Sequence, residues 1–158
     1  MKRYFALVLV SLVWVFTMGA FSKSRPKVQI KKIRDSGYQL MVNNKPYIVK
    51  GVCYNPIPIS ESHNYDWWSD EHKPWIRDGK LMKEMGINTI RIYQPGENPE
   101  SVRKVIRDFY ELYGIRTILG HWLGFWDYPS PFYGDKDFQE RIKKEVLEMV
   151  SLYKDEPG

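Results

Sequence analysis

The sequence is poor in the residues that build covalent and metal cross-links. Its 158 residues include one cysteine, Cys53, and three histidines, His63, His72 and His121. A single cysteine excludes an internal disulfide and a cysteine-cluster metal site. No two histidines have the spacing of ligands on one helix, so we predict no metal and no cofactor. Cys53 lies in an apolar stretch, which predicts a buried, inert thiol rather than a catalytic nucleophile.

Acidic residues are absent from the first 34 positions, which hold eight lysines and arginines. The formal net charge is +5, but residues 35–158 hold 16 basic and 19 acidic residues and are net acidic. Because the basic excess lies at the amino terminus, no basic face is visible on the folded part and no nucleic-acid partner is predicted. We interpret residues 21–37 as a basic linker and first strand, and contact with anionic headgroups or the cell envelope is the alternative.

Charged residues are also missing from residues 4–21, a largely apolar run that follows Lys2 and Arg3. This order is typical of an export signal, and Ala20 suits a small-residue cleavage site, so residues 1–20 are predicted to be a signal peptide. The run approaches the roughly 20 residues that span a bilayer, and an uncleaved anchor is the competing interpretation. The prediction is a secreted, periplasmic or cell-envelope protein that meets a membrane only through an uncleaved amino-terminal segment.

One sequence pattern occurs twice, as GINTIRIY at residues 86–93 and as GIRTILGH at residues 114–121. Each copy follows an amphipathic helical stretch and has the composition of a short buried strand, as successive βα units of a parallel sheet do. Aligning the copies places Arg91 opposite Leu119, and the two are predicted to share one face of the sheet. We expect Arg91 and His121 near the carboxyl ends of neighbouring strands, where barrel enzymes carry their sites.

Turn and capping signals divide the rest of the chain. Residues 38–52 predict a hairpin that turns at Asn43 and Asn44, with a second arm running into a strand at residues 48–54. Helices are predicted over residues 75–85, 98–113 and 137–153. Their predicted buried stripes are Leu81, Met82 and Met85; Val102, Val105, Ile106, Phe109 and Tyr113; and Phe138, Ile142, Val146, Met149, Val150 and Tyr153.

This order of elements predicts an α/β fold, namely the first three βα units of a TIM (β/α)8 barrel preceded by a β-hairpin. Three parallel strands leave one strand edge unpaired and the sheet faces only partly covered. We therefore interpret residues 38–158 as the amino-terminal portion of a larger catalytic domain, a fragment that stops where a fourth strand is due.

Three pieces of sequence in a fixed order carry a family resemblance. They are VKGVCY at residues 49–54, DGKLMKEMGINTIR at residues 78–91 and YKDEP at residues 153–157. In this order they resemble the barrel domain of retaining glycoside hydrolases, in the clan that contains families two and five. The resemblance covers residues 46–158. It implies cleavage or transfer at the O-glycosidic bonds of β-linked poly- or oligosaccharides, with a carbohydrate as the partner.

The resemblance also implies roles for individual residues. In that clan an arginine ending the second strand supports the nucleophilic carboxylate, and Arg91 matches it. A histidine ending the third strand lines a sugar subsite, and His121 matches it. A structural ion pair for Arg91 and a satisfied turn for His121 are the alternatives. Because aromatic rings stack on sugar faces, Tyr93, Trp122 and Trp126 complete the predicted substrate-binding set.

Both catalytic carboxylates of that clan are missing from the sequence. Retaining hydrolysis needs two carboxylates about 5 Å apart, and the clan takes one from an Asn-Glu pair ending the fourth strand and one from the seventh strand. Asn-Glu occurs nowhere in the sequence, so no catalytic residue is assigned and the chain alone is predicted to be inactive. A non-catalytic carbohydrate-binding or envelope protein is the alternative function, and a barrel enzyme with metal chemistry is a weaker one. The sequence does not decide whether Trp67 and Trp68 contact substrate.

Overall fold

The computed structural model describes residues 27–34, 37–125 and 132–158. Three parts of the predicted organisation lie outside the described residues: the signal peptide or anchor at residues 1–20, residues 21–26, 35 and 36 of the basic linker and first strand, and Trp126. The described residues form two three-stranded sheets and three α-helices, joined by loops and one short 3-10 helix at Trp67–Ser69.

A small antiparallel sheet comes first in the described chain. Its second and third strands are joined at Asn43 and Asn44, whose φ angles of 51° and 63° are those of a two-residue hairpin turn. The second arm of the hairpin is shorter than predicted. It ends at Pro46 and does not continue into the strand that follows. The strands are β1 (Val28–Ile33), β2 (Gly37–Val42) and β3 (Lys45–Pro46), in the order β1-β2-β3.

The second sheet is parallel and alternates with helices along the chain. Its strands are adjacent in chain order, and each successive pair is connected through one helix. Over the described residues this sheet is open, so the closed barrel stays a prediction. The elements are β4 (Gly51–Cys53), α1 (Pro74–Glu84), β5 (Thr89–Ile92), α2 (Pro99–Tyr113), β6 (Arg116–Leu119) and α3 (Lys136–Tyr153).

The register between β5 and β6 differs by one residue from the alignment of the repeat. Thr89 pairs with Arg116, and Arg91 pairs with Ile118 rather than with Leu119. A shift of one residue moves a side chain to the other face of a sheet. Leu119 accordingly packs against the core, while Arg91 shares its face with the exposed Ile118. The predicted common face of Arg91 and Leu119 is therefore wrong.

The core lies between the parallel sheet and α2. The side chain of Asn98 caps this helix by accepting from the N–H groups of Glu100 and Ser101, and Gly114 ends it with a φ of 69°. These are the boundaries that the capping signals predict. The apolar stripe of α2 packs onto Ile90 and Ile92 of β5, and its buried members are Val102, Val105, Ile106 and Phe109.

The predicted inward side of α1 is wrong at two of its three positions. Leu81 is 52% exposed and Met85 is 74% exposed. The helix instead buries Trp75 and Gly79. A Cβ added at Gly79 would lie 2.5 Å from the ring of Tyr113, so the absence of a side chain lets α1 and α2 approach closely.

The apolar stripe of α3 is present but only partly covered. Of its six predicted members only Tyr153 is buried, and Val150 is 47% exposed. Asp135 caps the helix by accepting from the N–H group of Phe138, so the helix itself begins as its sequence predicts. Met149 is half-buried and packs against the core, so the predicted core role is met at Met149 and Tyr153. Phe138, Ile142 and Val146 are half-buried.

Candidate functional site

The carboxyl ends of β4 and β5 bring Cys53 and Arg91 together. The two residues are partners in the parallel register, so their side chains lie on one face. Hydrogen bonding with the side chains of Tyr93 and then Arg91 lowers the pKa of the Cys53 thiol. The same contact with Cys53 raises the pKa of Tyr93.

Cys53 is exposed, so the predicted burial of its thiol is wrong. The reason is strand alternation, because Val52 is the residue of β4 that packs against the core. An apolar stretch does not by itself tell which of its members point inward. The exposed thiol belongs to the same face as the predicted substrate residues.

Three aromatic side chains extend from Arg91 across the end of the sheet. The Arg91 guanidinium carbon lies 4.7 Å from the centroid of the Tyr93 ring. The rings of Tyr93 and Trp122 stack with centroids 5.4 Å apart and planes 7° apart, and Phe125 lies 6.0 Å from Trp122. We call Tyr93, Trp122 and Phe125 the aromatic row.

The aromatic row is open to solvent. Its members Tyr93, Trp122 and Phe125 are 37%, 36% and 58% exposed. Rings of this size are ordinarily buried, and an exposed set with a cation at one end is suited to a ligand that has both apolar faces and polar edges. A sugar ring, with C–H faces and hydroxyl edges, is such a ligand.

Gly120 sets the position of the turn that carries Trp122. Its N–H group donates to the carbonyl of Ile92 over 2.7 Å. A Cβ at this position would lie 2.6 Å from the carbonyl oxygen of Tyr93, so only glycine lets the turn lie against the end of β5. Sequence reasoning missed this residue, although the second copy of the repeat has glycine where the first has isoleucine.

His121 forms a hydrogen bond within the same turn and also faces α3. Its Nδ1 accepts from the N–H group of Leu123 over 3.0 Å, and Leu123 has a φ of 53°. Its Nε2 lies 3.4 Å from a carboxylate oxygen of Glu145 on α3. The described contacts of His121 are thus with its own turn and with α3, whereas Arg91, Tyr93 and Trp122 meet in one cluster.

Trp67 and Trp68, which the sequence leaves undecided, belong to the core. They are 2% and 5% exposed, and their rings stack with centroids 4.1 Å apart. Trp68 also covers Gly96, where an added Cβ would lie 2.6 Å from its ring. These two residues support the loops near the site and do not offer a free ring face.

The described residues place one cation at the aromatic row but no acidic partner for it. Among residues 27–34, 37–125 and 132–158, no carboxylate forms an ion pair with Arg91. The same residues include no cluster of three or more side chains able to hold a metal. Within the described part, no helix combines the length and the apolar character needed to cross a membrane. The site as described therefore combines exposed aromatic surface with a positive charge.

Comparison with known proteins finds a partial similarity. No family model matches the chain, and no solved structure matches it. The chain is 35% identical over 89 residues to 1,3-beta-glucanosyltransferase GAS4 of Saccharomyces cerevisiae. The aligned part is 56% of this chain and 18% of that enzyme, so the chain spans less than a fifth of the relative's length. This distant, partial similarity supports a glycosidase-like or transglycosylase-like family.

Proposed function

We propose that this chain is the amino-terminal part of an exported (β/α)8-barrel glycoside hydrolase or transglycosidase that acts on β-linked glucan. The observation that carries the proposal is the aromatic row beside Arg91 at the carboxyl ends of parallel strands, where barrel enzymes bind substrate. The partial similarity to a 1,3-beta-glucanosyltransferase favours β-1,3-linked glucose as the substrate.

The one-residue stagger between β5 and β6 supports the barrel. Positions that correspond in the two copies of the repeat are 28 residues apart in the sequence. Register partners in the sheet, such as Thr89 and Arg116, are 27 residues apart. Eight strands with a total shear of about 8 shift by about one residue per strand, so this stagger suits a closed eight-stranded barrel.

The far edge of β6 supports a further strand in the same sheet. Arg107 binds Glu156 through two hydrogen bonds of 2.6 and 2.7 Å, which fasten the segment after α3 onto α2. The Thr117 N–H group then donates to the carbonyl of Gly158 over 3.3 Å. The chain thus returns to the edge of β6 that faces away from β5, and the exposed part of the α3 stripe would pack against later units of the barrel.

In this proposal Arg91 holds a carboxylate that a later strand supplies. A guanidinium offers two parallel N–H donors to a carboxylate and favours its ionised form, as a nucleophile requires. Cys53 and Tyr93 contact Arg91 and would limit its side-chain freedom. The catalytic carboxylate pair is proposed to lie on strands beyond these 158 residues.

Affinity electrophoresis tests the binding part of the proposal. The full chain should migrate more slowly in native gels that contain soluble β-1,3-glucan than in gels that contain starch, and Trp122→Ala should abolish the retardation. Phe132→Ala is the matched control, because Phe132 is an aromatic residue that is 73% exposed and lies outside the row. Equal migration in both gels would overturn the proposal.

A carbohydrate-binding protein without catalysis is the second candidate. The lack of a carboxylate partner for Arg91 among the described residues favours it. The two candidates differ in products. Incubation of the full-length gene product with end-labelled β-1,3-glucan oligosaccharides should yield new chain lengths if the protein is a hydrolase or transglycosidase, and none if it only binds.

A further inference from the structure

Charge is unevenly divided between the two sheets. Residues 27–50, which contain the antiparallel sheet, hold six basic residues and one acidic residue. Residues 51–158 hold 14 basic and 18 acidic residues. The small sheet is therefore a cationic unit attached to an acidic one, and it would meet an anionic surface first.

One face of the small sheet combines this charge with exposed apolar side chains. The register pairs Val28 with Val42 and Lys32 with Tyr38, and Val42 also pairs with Lys45, so alternate positions along the three strands share this face. Val28, Ile30 and Tyr38 are 54%, 71% and 74% exposed. We call Val28, Ile30, Lys32, Tyr38 and Lys45 the basic face.

The small sheet lies at the end of the parallel sheet opposite to the aromatic row. The Tyr47 hydroxyl, directly after β3, donates to the carbonyl of Asn88 over 2.8 Å. The Lys50 N–H group donates to the Asn88 side chain over 2.8 Å. Asn88 directly precedes β5, whereas Tyr93 directly follows it. The small sheet and the aromatic row are therefore separated by the length of this strand.

We propose that the basic face docks on an anionic phospholipid bilayer. Exposed β-branched and aromatic side chains enter the headgroup boundary while lysines at the edge of the apolar stripe reach the phosphate groups. The docked chain would hold the aromatic row away from the membrane, free for a polymeric ligand. This surface is separate from the predicted signal peptide or anchor at residues 1–20, and it includes part of residues 21–37, for which headgroup contact is the alternative interpretation.

Vesicle co-sedimentation of the full chain tests the proposal. Binding to vesicles with 30% phosphatidylglycerol should exceed binding to pure phosphatidylcholine vesicles and should weaken as salt rises. Because each cation near an anionic surface contributes a severalfold gain in binding, Lys32→Glu with Lys45→Glu should lower anionic-vesicle binding at least tenfold. The matched control is Lys80→Glu with Lys143→Glu, which removes two exposed helical lysines and changes the net charge equally.

Residues 1–26 are unchanged in both variants, so their own membrane affinity cancels in the comparison. Hydrogen exchange should also show protection of residues 28–33 by anionic vesicles in the control variant and no protection in Lys32→Glu with Lys45→Glu. If the control variant loses as much vesicle binding as Lys32→Glu with Lys45→Glu, the attraction is non-specific. If both variants keep their vesicle binding, another segment of the chain docks. Equal protection by a soluble acidic polysaccharide would identify a polyanion site. Each of these three results would overturn the proposal.

Discussion

At the scale of single residues, the site depends on contacts that link β4 to β5. Cys53, Arg91 and Tyr93 each contact the other two, so the guanidinium is held between a thiol and a ring. Their arrangement follows from the parallel register, which places Cys53 directly beside Arg91. The chemistry of the lone thiol therefore reports on the geometry of the whole cluster.

The pH dependence of Cys53 modification tests this geometry. Because hydrogen bonds from Tyr93 and then Arg91 lower the pKa of Cys53, its thiolate forms at lower pH than that of an ordinary cysteine, whose pKa is about 8.5. Tyr93→Phe removes the larger contribution, so its pH–rate profile with an aromatic disulfide reagent should shift upward. Tyr38→Phe is the control and should leave the profile unchanged. A midpoint that is identical in wild type and Tyr93→Phe would contradict the described contact.

Gly120 tests the close approach of the site turn to β5. Gly120→Ala puts a methyl group 2.6 Å from the carbonyl oxygen of Tyr93, a contact that only a backbone shift can relieve. We expect a loss of about 2 kcal/mol or more in the free energy of unfolding, measured by urea denaturation. Gly134→Ala is the control, because its added Cβ would lie 3.8 Å from the nearest ring atoms. Equal unfolding midpoints for the two variants would show that the turn does not pack as described.

At the scale of elements, the turn after β6 and the helix α3 are joined through His121. The imidazole accepts from Leu123 on one side and faces Glu145 on the other. The clan resemblance implies a sugar contact for this histidine. We propose a positioning role for it, because its described contacts are with Glu145 and with the turn that presents Trp122.

Two substitutions of His121 separate these roles. Asparagine can place an oxygen acceptor near the position of Nδ1, whereas alanine cannot. If His121 acts by holding the turn, His121→Ala should weaken binding of a β-1,3-glucan oligosaccharide by about 1 kcal/mol, the net value of one hydrogen bond, and His121→Asn should bind like wild type. Calorimetric titration measures both. Equal weakening in the two variants would favour direct contact between the imidazole and the sugar.

The sequence predicted the positions of helices and strands better than it predicted which of their side chains are buried. The ends of α2 were predictable because Asn98, Pro99 and Gly114 act through local backbone conformation. The register of β6 and the exposure of Cys53 were not, since both depend on how strands stagger against each other in space. Arg91, Tyr93 and Trp122 were predicted together because they lie at the ends of neighbouring strands, but Gly120 was missed because its role arises from a contact across the turn.

At the scale of the whole molecule, the described chain leaves apolar surface uncovered. Leu147 and Val150 of α3 are 56% and 47% exposed, and the outer edge of β6 is paired only through Gly158. An unpaired strand edge beside an exposed apolar helix is a site for association with another chain. We expect sedimentation velocity to show concentration-dependent oligomers, reduced by Leu147→Lys with Val150→Lys. A monomer with a cooperative melting transition would contradict the view that later barrel units cover these surfaces.

The central claim is that the aromatic row binds carbohydrate, and a tryptophan-fluorescence titration tests it most directly. A pentasaccharide of β-1,3-linked glucose should change the emission of the full chain in a saturable way. Trp122→Ala should weaken binding at least tenfold, about 1.4 kcal/mol, whereas Phe132→Ala should not change it. No saturable response to the pentasaccharide in the wild-type chain, or equal affinity in Trp122→Ala, would show that the row is not a sugar site.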